Sequence, residues 1–175
     1  LGLTIDNGNH LVLAGNTAVA RFRATVGARE PLAGPAQADF AFADLATGER
    51  WTIRINDGAM PWWVLAKNRR VPGTGPSDYL ALARLLSGKA EQTVGERVPV
   101  SGALWERLLE PVLLAVLNTD PAIGSARLTA GVVRESLARG GRASLPRIAE
   151  PTLAAAFIDP ATAWLAARGA PVALG

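Results

Sequence analysis

Residues 101 to 118 read "SGALWERLLEPVLLAVLN", and no other stretch restricts the fold as much. Leu104, Trp105, Leu108, Leu109, Val112, Leu113, Val116 and Leu117 recur at steps that place them on one wide face of a helix. Pro111 sits inside that pattern. It has no N–H to donate and its ring crowds the carbonyl of Arg107, so the helix kinks there or is two helices meeting. A face this wide is either core or the wall of an apolar tunnel.

The flanking sequence supplies shorter elements. "NTAVARFRATVG" predicts a helix capped by Asn16 or Thr17 and stopped by Gly27. Residues 39 to 43 ("DFAFA") and 51 to 55 ("WTIRI") alternate around "DLATGER" as the arms of a β-hairpin, and Asp57-Gly58 ends the second arm. "SDYLALARLLSG" predicts a helix with Ser77 or Asp78 as its cap and Gly88 as its stop. Asp120-Pro121 and Asp159-Pro160 have the form of an N-cap followed by a first-turn proline, with Gly140 and Gly169 as stops. "PVALG" at the end is strand-like, and in the opening "LTIDNGNHLVLAG" the pair Asn7-Gly8 between apolar flanks signals a tight hairpin. The class is therefore α+β: one mostly helical domain over residues 1–175 with a small mixed or antiparallel β-sheet.

Composition excludes several functions. Apolar residues make up 49% and mean hydropathy is +0.19, yet the longest apolar run, "VLLAVL", falls far short of the ~20 residues that span a bilayer. The absence of cysteine rules out disulfides and thiolate metal sites, and a single histidine all but excludes a His-based zinc site; no metal is expected. The net charge of +3 is not gathered into a basic stripe interleaved with aromatics, so no nucleic-acid partner is expected. No leader is evident, a cytoplasmic location follows by default, and Leu1 together with the apolar end suggests a piece of a longer protein.

Few residues carry chemistry of their own. There is no Gly-x-Gly-x-x-Gly after a strand, no Walker loop and no Gly-x-Ser-x-Gly elbow, and "VPGTGPSDY" reads as a loop before a helix cap. His10, beside the opening turn, is either structural or presented to a ligand. In "MPWWVLAKNRR", Trp62 and Trp63 lead into Lys67, Arg69 and Arg70. That order suits a membrane interface, and it equally suits a partly buried aromatic pair beside a solvated basic loop.

Five blocks in order, "IDNGNHLVLAG", "PWWVLAKNRRVPGTGPSDYLALARLL", "LWERLLEPVLLAVLNT", "SARLTAGVVRESLARGGRASLPR" and "DPATAWLAARGAPVALG", resemble the squalene-associated flavoprotein desaturases of hopanoid biosynthesis, within the flavin amine oxidase and phytoene desaturase superfamily. The resemblance implies the middle, substrate-binding part of a two-domain FAD-dependent flavoprotein, without the Rossmann-type FAD segments that flank it in the family. FAD is accordingly expected in the full-length protein and not on this segment alone. By the same resemblance Asp6, Asn7, Gly8 and His10 lie beside the flavin, while Asn9 departs from the family's usual Gln. The implied chemistry is reductive removal of the hydroxyl of hydroxysqualene, with reduced FAD as hydride donor. A hydrophobic C30 isoprenoid substrate needs a long apolar tunnel, for which Trp62, Trp63, Trp105, Leu109 and Leu113 are the candidates; no catalytic acid is assigned. Peripheral contact with the inner membrane face is expected. A non-enzymatic isoprenoid- or lipid-binding module is the alternative, and an interaction domain is a third reading.

Overall fold

The computed structural model describes residues 5, 6 and 11–173. In chain order these form β1 (Leu11–Leu13), α1 (Thr17–Val26), β2 (Leu32–Ala33), β3 (Asp39–Ala43), β4 (Arg50–Arg54), α2 (Leu80–Leu86), α3 (Glu110–Leu117), α4 (Ala126–Glu135), α5 (Gly141–Ser144), β5 (Pro146–Ala149) and α6 (Asp159–Ala166), with 3₁₀ and π turns between them. Both sheets are antiparallel, as the α+β reading anticipates. The chain divides into two compact units, one built from Leu1–Ala36 with Leu145–Gly175 and the other from Gln37–Ser144.

In the first unit β5 is the central strand, with β1 and β2 on its two edges. Leu11 faces Ile148 and Leu13 faces Pro146, so the ladder partners of the opening apolar run lie more than a hundred residues away. The hairpin turn expected at Asn7-Gly8 lies outside the described residues. Helix α1 starts as anticipated: the Asn16 side chain accepts from the Val19 N–H at 3.1 Å, and Gly27 ends the helix at φ 68°. Asp159 is not an N-cap. The helix begins a turn earlier, where the Thr152 hydroxyl accepts from the Ala155 N–H at 3.1 Å, and a π turn over Ala154–Ile158 runs directly into α6. The strand expected at "PVALG" is also absent from its described residues, 171–173, which join no ladder. Apolar alternation makes a strand only where an open edge offers partners for the backbone.

The second unit holds most of the buried apolar side chains, with Ile53, Leu85, Val71 and Val94 fully enclosed. Its hairpin pairs Phe42 with Trp51, whose rings stack at 5.6 Å, and the Asp44 carboxylate closes the connecting loop by accepting from the N–H groups of Ala46 and Thr47. The Thr47 hydroxyl and those two N–H groups hold Asp44 below the ordinary 3.8. Helix α2 is entered through a 3₁₀ turn over Pro76–Tyr79. Neither Ser77 nor Asp78 is its N-cap: Asp78 reaches back from inside the turn to accept from the Gly75 N–H at 2.8 Å. Gly88 allows α2 to meet α4 closely, since a Cβ there would lie 2.4 Å from the Ala126 carbonyl oxygen. Asp120 caps only the 3₁₀ turn Pro121–Ile123; the cap of α4 is Ser125. The break expected at Pro111 takes the form of a π turn over Trp105–Leu109 that hands over to α3.

Two glycines separate backbone conformation from space. Gly27 has nothing within 4 Å of where a Cβ would stand, whereas at Gly140 (φ 86°, ψ −177°) a Cβ would lie 2.4 Å from the Gly58 carbonyl oxygen. Gly27→Ala should cost about 1 kcal/mol, the penalty of a left-handed residue. Gly140→Ala adds a backbone collision in a region open essentially to glycine, and should cost more than about 3 kcal/mol. Urea denaturation of the two variants measures both; equal losses would mean that the collision relaxes away.

Candidate functional site

The opening motif enters the described structure at Asp6. Its carboxylate accepts from the Leu153 N–H at 2.9 Å, beside the Thr152 hydroxyl that caps the same helical stretch. An acidic oxygen is favourable at a helix start, where unpaired N–H groups gather. Asp6 therefore ties the motif to the segment that leads into α6. Asn7, Gly8 and His10 lie outside the described residues.

The tryptophan pair is split. Residues Trp62–Leu65 form a 3₁₀ turn, in which side chains three apart share a face. Trp63 is 2% exposed and meets Tyr79 edge to face at 5.0 Å and 82°, while Trp62 is 63% exposed. Insertion of both rings into a bilayer is thus ruled out by geometry, because Trp63 belongs to the core. Asn56, which the sequence reading passed over, organises this loop. Its side-chain amide donates to the carbonyls of Gly58 and Met60 and accepts from the Trp63 N–H, and its own carbonyl accepts from Gly141. The signal was an Asn directly before the Asp-Gly that follows β4. Tyr79 was missed as well: its buried hydroxyl accepts from the Val71 N–H at 2.9 Å and contacts the Thr74 hydroxyl at 3.3 Å.

The remaining candidates lie on or beside the π turn. Trp105, Leu109 and Leu113 are all buried. Trp105 and Leu109 line a cavity of about 190 Å³ together with Gly73, Ala81, Pro99 and Ala103. That is below the ~300–1,000 Å³ of ordinary ligand sites, so this cavity by itself is too small for a C30 chain. Trp62, Trp63 and Leu113 are not part of its wall. On another side of the π turn, Arg107 lies 4.8 Å over the Trp51 ring and bonds to Glu49, beside an open recess of about 350 Å³ lined by Phe42, Asp44 and Glu106. The bond to Glu49 shifts Arg107 further toward its charged form. No group of three potential metal ligands occurs among the described residues, and no helix among them is long and apolar enough to cross a membrane.

Comparison with curated proteins gives this arrangement a context. The chain is 46% identical over 172 residues, 98% of its length, to hydroxysqualene dehydroxylase of Zymomonas mobilis. The chain is similar to hydroxysqualene dehydroxylases. Those of Rhodopseudomonas palustris and Sinorhizobium fredii are likewise 46% identical, over 99% and 98% of the chain. The chain spans only about 42% of the length of these dehydroxylases, so the likeness covers a part of each. No protein-family model and no solved structure matches the chain.

Burial pushes the Tyr79 phenol above its ordinary value of 10.0. The folded chain then holds this proton more tightly than the unfolded one. Stability should be level below about pH 10 and fall as pH rises through the folded value, because only the unfolded chain ionises in that interval. Tyr79→Phe orphans the Val71 N–H, should cost about 1–3 kcal/mol at neutral pH, and should flatten the alkaline limb. Denaturation midpoints of both proteins from pH 8 to 12 test this; identical alkaline limbs would contradict it.

Proposed function

We propose that the chain is the substrate-binding part of an FAD-dependent oxidoreductase that removes the hydroxyl of hydroxysqualene to give squalene in hopanoid biosynthesis. The observation that carries this reading is 46% identity sustained along nearly the whole chain to three dehydroxylases. Burial is consistent with a segment whose faces are covered in a longer protein. In the first unit α1 and α6 contain no buried residue, and Phe22, Ile148, Ile158 and Val172 are exposed.

Asp6, which accepts from the Leu153 N–H, would hold the flavin-proximal motif in place. Contact with a flavin ring is proposed for Asn7, Gly8 and His10, where a glycine lets backbone approach a flat ring closely. When bound, reduced FAD would supply the hydride that replaces the hydroxyl. The chain's own contribution is an apolar, water-excluding wall, to which the buried Trp105 and Leu109 belong. Such a wall suits a substrate that has a single polar group and otherwise only hydrocarbon.

In the full-length protein, Gly8→Val should block close approach of the backbone, with loss of bound flavin and of hydroxysqualene turnover. Flavin absorbance after gel filtration and squalene yield are the measurements. Full flavin content and full turnover in the variant would reduce the motif to a surface hairpin. The 175-residue chain expressed alone should be colourless; a yellow preparation with one flavin per chain would overturn the division of labour proposed here.

A further inference from the structure

We propose that the edge running from Met60 to Arg69 is a docking surface for an anionic phospholipid bilayer. The inference stands on this loop alone and does not depend on the proposed reaction. Trp62 and Leu65 are three apart in a 3₁₀ turn, so they share a face, and they are 63% and 59% exposed. Met60, beside them, is 60% exposed. Three large apolar side chains at one turn of surface loop form an unusually greasy edge for a region facing only water.

The charge around that edge decides what covers it. Between Asp57 and Asp78 the sequence contains Lys67, Arg69 and Arg70 and no carboxylate. The two bounding acids are engaged elsewhere, Asp57 with Arg142 at 3.4 Å and Asp78 with the Gly75 N–H. Arg70 folds back to donate to the Val64 carbonyl at 2.8 Å. Lys67 and Arg69 join no ion pair among the described residues. An exposed indole and two aliphatic side chains flanked by unpaired cations match the interface of an anionic bilayer, where rings sit at headgroup depth. Helix α3 provides the contrast. Its exposed Leu114 and Val116 are bounded by Glu110 and Asp120, with no cation from residue 108 to 126, so an anionic surface would repel it.

The loop is also held in its presenting shape. Asn56 fixes the carbonyls of Gly58 and Met60 and the N–H of Trp63, and the buried Trp63 ring locks the turn against Tyr79. The backbone that carries Trp62 thus needs no reordering at the moment of contact.

Co-sedimentation of the full-length protein with vesicles tests the proposal, using phosphatidylcholine alone and phosphatidylcholine mixed with phosphatidylglycerol, at low and high salt. Binding should require the anionic lipid and weaken with salt. Lys67→Gln should lower partitioning about fivefold, the effect of one cation near such a surface. Trp62→Ala should lower it about tenfold or more, in line with withdrawing a large apolar group from the interface, with the melting temperature unchanged because the ring is exposed. Trp63→Phe should leave partitioning at the wild-type level. Wild-type protein that fails to sediment, or variants that sediment like wild type, would overturn the proposal. So would a Trp62→Ala variant that binds vesicles normally while losing self-association or melting stability, since the edge would then be covered by protein.

Discussion

A proline that cannot donate a hydrogen bond shapes both units. In the first, Pro160 leaves the carbonyl of Ala156 without its usual helical partner, and the preceding turn widens so that the Asp159 N–H reaches the Ala154 carbonyl instead. The orphaned Ala156 oxygen is taken by the Arg23 guanidinium, which also bonds to the Glu30 carbonyl and lies 5.2 Å over the Phe157 ring. One arginine on α1 thereby satisfies the defect in the helix that ends in α6 and holds the two together. Phe22 and Phe157, with centroids 6.4 Å apart, add an apolar contact to the same junction.

The same grammar recurs in the second unit. Glu110 precedes Pro111 as Asp159 precedes Pro160, and the Glu110 N–H reaches back to Trp105 across a π turn. Widening a helix by one residue rotates everything before it relative to everything after. Here that places Trp105 and Leu109 at a cavity while Arg107 lies over Trp51 on the hairpin. A straight helix would have spaced these side chains differently. The break is therefore part of how the candidate apolar wall and the hairpin are brought to one element.

Around this frame, small polar groups decide which large side chains are inside. Asn56 and Tyr79 satisfy backbone N–H groups at Trp63 and Val71 that burial would otherwise leave unpaired. Their bonds turn Trp63 inward, so the neighbouring Trp62 is left exposed. The division leaves one ring of the pair in the core and the other facing the surroundings of the segment.

Much of this was legible in the sequence because it is local. The Asn16 cap and Gly27 stop of α1, the arms of the 39–54 hairpin and the disruption at Pro111 follow from side chains acting on their own or neighbouring backbone. The class, mostly helical with small antiparallel sheets, follows from the same signals. What the sequence did not reveal depends on partners far along the chain. The pairing of Leu11–Leu13 with β5 and the bond from Leu153 to Asp6 each join residues more than a hundred positions apart. Asp159 has the composition of a cap and is placed inside a helix because the turn before it is continued and capped at Thr152. Trp62 and Trp63 are identical in composition, and only the tertiary structure separates them, since burial depends on which neighbour supplies a pocket and a satisfied backbone. Local rules set the conformations available to each segment; long-range contacts, which no short window contains, chose among them.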